Sequence, residues 1–433
     1  MKSATPKCLH AVAGLPMLGH VIAALKGAGV SRLVVVTSPD GESVRAFARA
    51  QGAETVIQEK QLGTGHAAAS AGAALSDFSG ALIVADGDMP LVTSATYEAA
   101  FAAREKPGMA IIAFKPKDAG AYGRVITGAD GLLDRIVEFK DASEKERAVT
   151  LCNAGIVSAD AKDFFRWAGA LKNNNAQGEY YLTDVPAIAK EQKTGCAIAL
   201  ADETEVMGVN SRAELAMAEA AMQMRLRARA LAAGVGMVAP ETVFLSHDTQ
   251  LEADVHIAPF VVFGLGVKVA AGTDIKAFSH LEGATVGKAA LIGPFARLRP
   301  GASIGDSAHI GNFVEVKNTR VEKGAKANHL TYLGDARVGE GANIGAGTIT
   351  CNYDGFNKTL TDIGAGAFIG SNAALVAPVT IGDGAIIGAG SVITKDVAAN
   401  AIAVARPETK EIAGAAEHFR ARKKAEKSAR TKK

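Results

Sequence analysis

Four side chains of complementary chemistry gather in the last third of this sequence: Lys317, His329, Tyr332 and Asn352. An imidazole takes up a proton near neutral pH, an ammonium holds an anion, and a phenol or carboxamide fixes a polar substrate. The set suits a reaction in which a base frees a nucleophile beside an anchored anion. A solitary histidine is more often structural, yet His329 stands in a polar stretch, Asn328-His329-Leu330-Thr331-Tyr332-Leu333-Gly334-Asp335, that breaks an otherwise apolar pattern. That setting favours a general base. Earlier in the chain, Asp88 follows the apolar run from Ala81 to Val84. Alone it reads as an aspartate in the turn after a strand, although the carboxyl ends of strands are also where α/β folds bind ligands.

The pattern that must position the first group has a period of six. Aliphatic or aromatic residues recur at Val286, Ile292, Leu298, Ile304, Ile310 and Val316, and again at Ile363, Ile369, Leu375, Ile381, Ile387 and Ile393, mostly followed by glycine. Leu251, Ile257, Phe263, Val269, Ile275 and Leu281 hold the same step with less glycine. At about 100° per residue a helix would carry such positions off any one face within two repeats. A left-handed parallel β-helix of hexapeptide repeats accounts for them, each coil being a triangle of short strands with the aliphatic residue inside. The spacing predicts this solenoid from about Leu251 to Val397, with polar breaks between Val316 and Val338 and between Ile349 and Ile363.

The first half alternates helical and strand patterns: Met17 to Ala28, Leu33 to Val36, Val44 to Gln51, Thr55 to Ile57, Gly65 to Leu75, Ala81 to Val84. That order predicts an α/β domain with a mainly parallel, Rossmann-like sheet. Ser211 and Glu214 have capping-box spacing at the head of a long helical stretch. The 433 residues therefore divide as 1–210, a linker helix over 211–234, a solenoid domain over 235–406 and a basic tail over 407–433, the tail expected to be disordered. A net charge of +2 gives no reason to expect a nucleic-acid partner. No stretch has the roughly 18 apolar residues of a membrane span, and the opening is a poor signal peptide, so the expectation is a cytoplasmic protein without membrane insertion. Cys8, Cys152, Cys196 and Cys351 are widely spaced and read as reduced thiols.

The run Ile292-Gly293-Pro294-Phe295-Ala296-Arg297-Leu298-Arg299-Pro300-Gly301, the polar stretch around His329, and Asn343-Ile344-Gly345-Ala346-Gly347-Thr348 followed by Cys351-Asn352-Tyr353-Asp354-Gly355 resemble the bacterial bifunctional enzymes that make UDP-N-acetylglucosamine. Those enzymes join a glucosamine-1-phosphate N-acetyltransferase to an N-acetylglucosamine-1-phosphate uridylyltransferase. The resemblance spans nearly the whole chain and extends to Gln58, Gln61-Leu62-Gly63-Thr64-Gly65-His66, Tyr122-Gly123-Arg124, the run from Asn173 to Tyr181, and Gly208-Val209-Asn210.

For the solenoid the resemblance implies a homotrimer with acetyl-transfer sites between neighbouring subunits. Arg299 and Lys317 would hold the sugar phosphate, Tyr332 and Asn343 would line the sugar pocket, and His329 would be the base. Ala346, Asn352, Tyr353, Ser371, Ala389 and Arg406 would contact the sugar or acetyl-CoA. For the N-terminal domain it implies transfer of a uridylyl group from UTP, with Asp88 and Asn210 as Mg²⁺ ligands, Gln58, Gly63 and Thr64 at the uracil, and Gly123, Glu138 and Asn153 at the sugar. The family also has a first strand and a glycine-rich loop, L-A-A-G-x-G-T-R-M, that cradles phosphates. This sequence opens at the Met of that motif, with Lys7 the phosphate contact retained, so the resemblance leads us to expect an impaired uridylyl half-reaction. Two other classes stay open: a non-catalytic regulatory scaffold, and a zinc carbonic anhydrase-like β-helix using His256, His280 and His309. The spacings of those histidines do not repeat.

Overall fold

The computed structural model describes residues 1–431 and divides the chain into two compact units, Met1–Ala232 with Phe244–Asp248, and Ala233–Val243 with Thr249–Lys433. In the first unit, α1 (Met17–Gly27) buries Leu18, Val21, Ile22 and Leu25, the helical spacing read from the sequence. There follow β1 (Val34–Thr37), α2 (Glu42–Ala50), β2 (Glu54–Ile57), α3 (Thr64–Ser70), β3 (Ala81–Val84) and α4 (Ser94–Ala103). The helix expected to reach Leu75 gives way to turns after Ser70. β1 and β2 pair in parallel. The larger sheet adds β4 (Gly108–Phe114), β5 (Arg124–Thr127), β6 (Leu133–Val137), β7 (Cys152–Asp160) and β8 (Gly195–Leu200). β8 is parallel to β4, while β7 runs antiparallel between β4 and β3.

β4 is sealed on all sides. One face packs on Phe164 and Trp167 of α5 (Ala161–Ala168) and on Val185 and Ala189 of α6 (Val185–Glu191). The other packs on Val21, Leu25 and Tyr97. β3 is different. Among the described residues it and β1 each pair along one edge only, and every residue of β3 is partly exposed. A cavity of about 1830 Å³ runs along those free edges. The unit closes with α7 (Arg212–Ala232), whose capping box forms as predicted: Glu214 N donates to Ser211 Oγ at 3.1 Å and Ser211 N to Glu214 Oε2 at 2.7 Å.

The second unit is the parallel β-helix, running from Gly236–Met237 to Ile402–Ala403, somewhat longer than predicted. One face carries ten strands. Behind it Ile257, Ile275, Ile292, Ile310, Ala327, Ile344, Ile369 and Ile387 stack in a column no more than 3 % exposed, which is how a narrow prism without helices finds its core.

The first expected break is not one. Strand Glu315–Val321 pairs continuously with Tyr332–Val338, Val316 opposite Leu333 and Val321 opposite Val338. The inward step shortens from six residues to five there, so a period of six loses its place although the coil is intact. His329 therefore sits on the solenoid wall, ending strand Lys326–His329, not in a loop. The second break is a loop, closed by an antiparallel bridge between Tyr353 and Lys358. The tail also departs from expectation: Ala415–Thr431 is a helix, α8. It is rich in helix formers, and Lys423 and Arg422 pair with Glu426 at 2.7 and 3.8 Å, the i,i+3 and i,i+4 contacts that favour helix.

Candidate active sites

Through most of the solenoid adjacent coils differ by 17 or 18 residues in register, rising to 25 where the second loop is inserted, so side chains that far apart become neighbours. His329 thereby stands over Asn312, its register partner, and His329 Nδ1 lies 2.6 Å from Asn312 Oδ1. With the carboxamide oxygen accepting, Nδ1 carries the proton and Nε2 is left with its lone pair. His329 is exposed, so the lone pair is accessible to substrate.

The cations are held by carboxylates. Lys317 Nζ meets Asp335 Oδ2 at 3.1 Å, with side-chain exposures of 19 % and 12 %, and the same carboxylate accepts from Asn318 Nδ2 at 2.6 Å and from Asn352 Nδ2. Burial pushes the Asp335 carboxyl up, but Asn318, Asn352 and Lys317 together outweigh it and hold it below the usual carboxylate range. Its hydrogen bond in turn raises Lys317 above the usual range, so that ammonium stays charged. Arg299 Nη1 donates to Glu315 Oε1 at 2.7 Å, and Glu315 is the register partner of Tyr332. Arg299, Lys317, Tyr332 and Asn352 thus come together through Glu315 and Asp335.

His329 is not in that contact network. It precedes the corner at Leu330, Tyr332 opens the next strand, and Gly334 in that strand is the partner of Lys317, so His329 and Lys317 stand at opposite edges of one face. Beyond His329 the same corner continues as a column. Gly347 N donates to His329 O at 3.4 Å, Asn372 N to Ala346 O at 2.7 Å and Gly390 N to Ser371 O at 2.8 Å. Arg406 Nη1 then donates to Ala389 O at 2.7 Å. Ala346, Ser371, Ala389 and Arg406 are therefore aligned, a track of small residues ending in a cation. Asn343 lies on the ten-stranded face beside Lys326 and Phe368. Tyr353 stays apart in its loop, its hydroxyl donating to Gly355 O at 2.5 Å. His256 and His309 fall on the ten-stranded face and His280 on another, so they do not converge.

In the first unit Lys7 Nζ lies 2.5 Å from Asp88 Oδ2 and 2.9 Å from Asn210 Oδ1. Two oxygens from distant parts of the sequence thus converge on one cationic atom. Asn153 N donates to Gly123 O at 2.9 Å, Glu138 lies against Gly123 and accepts from Thr183 Oγ1 at 3.0 Å, and the buried Asn153 Oδ1 has no partner. Lys7, Thr64, Asp88, Gly123, Glu138, Asn153 and Asn210 all line the 1830 Å³ cavity. Gln58 lies behind it, its Nε2 3.2 Å from Gly63 O and 2.9 Å from His66 Nδ1, while Thr64 Oγ1 accepts from Leu182 N at 3.2 Å.

Sequence reading gave no role to Asn312, Glu315, Asp335 or Asp86. The first three could have been found by stepping back or forward 17 residues from His329, Tyr332 and Asn318. Asp86 is strongly altered by its setting in the cavity: burial, then repulsion from Asp88, push its carboxyl up to about 6, with Lys7 pulling the other way.

Residues 1–154 match the MobA-like NTP transferase domain, and residues 283–318 and 361–395 match the bacterial transferase hexapeptide (six repeats). The "Bifunctional protein GlmU" of Paramagnetospirillum magneticum is 51 % identical over 435 residues, covering 99 % of this chain and 95 % of the relative. That of Acidiphilium cryptum is 56 % identical over 423 residues, covering 97 % and 95 %, and that of Zymomonas mobilis 50 % identical, covering 98 % and 95 %. With a nucleotidyltransferase-type α/β unit and a hexapeptide solenoid in one polypeptide, matched end to end at this identity, the chain belongs to the bifunctional protein GlmU family.

Proposed function

We propose that this chain makes UDP-N-acetylglucosamine in two half-reactions, one in each unit. In the solenoid, glucosamine-1-phosphate and acetyl-CoA react. Arg299 and Lys317 anchor the sugar phosphate, with Tyr332 and Asn343 at the sugar, and Asp335 and Glu315 keep the two cations in place. His329 Nε2 takes a proton from the substrate ammonium, since an amine cannot attack until its lone pair is free. The amine nitrogen bonds to the thioester carbonyl and gives up its second proton to solvent, the C–S bond breaks, and coenzyme A leaves as a thiolate that recovers the first proton from His329. Ser371 supplies a hydroxyl for the tetrahedral oxyanion. Ala346, Ser371, Ala389 and Arg406 form a track for the coenzyme, and Asn352 and Tyr353 border it. The sites lie between neighbouring subunits of a homotrimer.

In the first unit N-acetylglucosamine-1-phosphate attacks the α-phosphorus of UTP and pyrophosphate leaves. Gly123, Glu138 and Asn153 hold the sugar, Gln58, Gly63 and Thr64 the uracil side, and Lys7 a phosphate. Asp88 and Asn210 fit Mg²⁺, since both are oxygen donors and already meet at one cationic atom. When bound, the ion would neutralise charge on the phosphates. We place the enzyme in the cytoplasm, where both co-substrates are available.

The observation that carries this reading is the alignment of His329, Ala346, Ser371 and Ala389 on one corner, a base at the head of a track of small residues. The test assays thiol release from acetyl-CoA with glucosamine-1-phosphate, and pyrophosphate release from UTP with N-acetylglucosamine-1-phosphate. Both should proceed, and thiol release that does not depend on the amino sugar would refute the assignment.

A further inference from the structure

Lys7 is the cation at which Asp88 and Asn210 meet, and the three residues are not held alike. Asp88 and Asn210 are pinned from behind. Val209, fully buried, donates its N–H to Asp88 O at 3.1 Å, which ties the chain just before Asn210 to the turn that carries Asp88. Asn210 N donates to Glu214 Oε2 at 2.7 Å, the carboxylate that also accepts from Ser211 N at the head of α7. Lys7 has no such backing. It stands on one short helical turn, Lys7–Leu9, that buries none of its residues, and its side chain is 43 % exposed against 17 % for Asp88. A lysine ammonium is a compact charge on a flexible stem. The oxygens are thus the fixed side of the contact and the ammonium the movable one.

We propose that Lys7 is a placeholder in the Mg²⁺ site: its ammonium occupies the two oxygens until a nucleotide phosphate draws it away, so one side chain couples the ion to the nucleotide. The proposal rests on the uridylyl-transfer reading above and adds how that site is loaded. At 2.5 Å from Asp88 Oδ2 and 2.9 Å from Asn210 Oδ1, the ammonium takes up the lone pairs that a hard cation would need. Lys7 and Asp88 also cancel one another's charge. A divalent ion brought to that pair would stand beside an ammonium, and repulsion between partly buried charges is poorly screened. A triphosphate reverses the balance, because its oxygens attract an ammonium more strongly than one carboxylate does and bring negative charge of their own. Lys7 lines the same cavity as Asp88 and Asn210, so the swing from carboxylate to phosphate needs only its own side-chain torsions. Coupling of this kind is reciprocal: what weakens the ion in the empty site strengthens the nucleotide.

The test uses Mn²⁺, which suits the same oxygen donors and whose free ion is counted by electron paramagnetic resonance. Titrated into the full chain without nucleotide, Mn²⁺ should bind Lys7→Met about tenfold more tightly than the parent. Adding Asp88→Asn to Lys7→Met should abolish that gain, which assigns it to this site. Lys2→Met removes another cation of the cavity wall but lies off the contact, and should stay within about twofold of the parent. UTP titrated in EDTA should show the converse, with Lys7→Met binding it about tenfold more weakly. Lys7→Gln, a polar replacement at this half-exposed position, repeats both titrations should methionine disturb the turn. Mn²⁺ that binds the Lys7 variants no more tightly than the parent, or gains as much from Lys2→Met, overturns the proposal. So does UTP binding that is indifferent to Lys7. If the parent releases no pyrophosphate from UTP, the uridylyl-transfer reading fails, and the nucleotide-free titration still decides whether Lys7 holds the oxygens against the ion.

Discussion

Asn312 determines which nitrogen of His329 is free, and its effect is separable from the base itself. His329→Ala should leave the fold intact and lower acetyl-transfer kcat by roughly 10² to 10⁴, the usual worth of a positioned base. Near-normal turnover at saturating substrate would remove His329 from the mechanism. Asn312→Asp keeps an acceptor but adds a negative charge that favours the imidazolium. The acid limb of the pH–rate profile should then move to higher pH, a shift that a merely structural asparagine would not produce. In the other unit the testable residue is Asp86, held up to about 6 by burial. Folded protein keeps a proton that the unfolded chain releases between about pH 4 and 6, so stability from this group is present below that window and lost as pH rises through it. The loss is about 3 kcal/mol. Asp86→Asn should therefore stabilise the unit at pH 7.5 and much less at pH 4.5, read from urea midpoints; equal gains at both would refute the shift.

At the scale of elements, the solenoid shows what a sequence displays and what it conceals. A period of six is visible because every sixth residue meets the same dry interior. The continuity of the wall past Val316 was concealed because two steps shorten to five, and the polar residues there suggested a loop. Asn312, Glu315 and Asp335 were concealed for a related reason: their neighbours are set by coil length, which is known only once the coils are closed. In the α/β unit the order of helices and strands was legible, and the Ser211–Glu214 cap with it, but the antiparallel course of β7 was not, since strand direction leaves no mark on apolar patterning. Close stacking also yields a prediction. A Cβ at Gly311 would collide with the backbone carbonyl of Asn328, one residue from His329. Gly311→Ala should push those coils apart, costing roughly 1 to 3 kcal/mol in urea unfolding. By displacing Asn312 and His329 it should also slow acetyl transfer by up to about 10². An unchanged enzyme would mean that the coils are more pliable than their spacing suggests.

The whole molecule consists of two units with separate cores, and the chemistry should divide with them. Asp88→Asn should lower uridylyl transfer by on the order of 10² or more, while acetyl transfer stays within about twofold, as expected of independent sites. A parallel loss of both would show coupling that the separate cores do not suggest.

The coil register also has a mechanical meaning. Backbone hydrogen bonds between coils point along the solenoid axis, and each coil bonds only its neighbours. With handles at Gly236 and Ala405, an axial force would load the end coil first and peel it away before the next is stressed. Each rupture would free 17 or 18 residues, roughly 60 Å of chain, so a force trace should read as a staircase of even steps. One step should stand out, because the coil joining Ile344 to its partner Ile369 carries the 352–360 loop as slack. That tread, longer by roughly 25 Å, would mark from outside the place where the proposed coenzyme track passes.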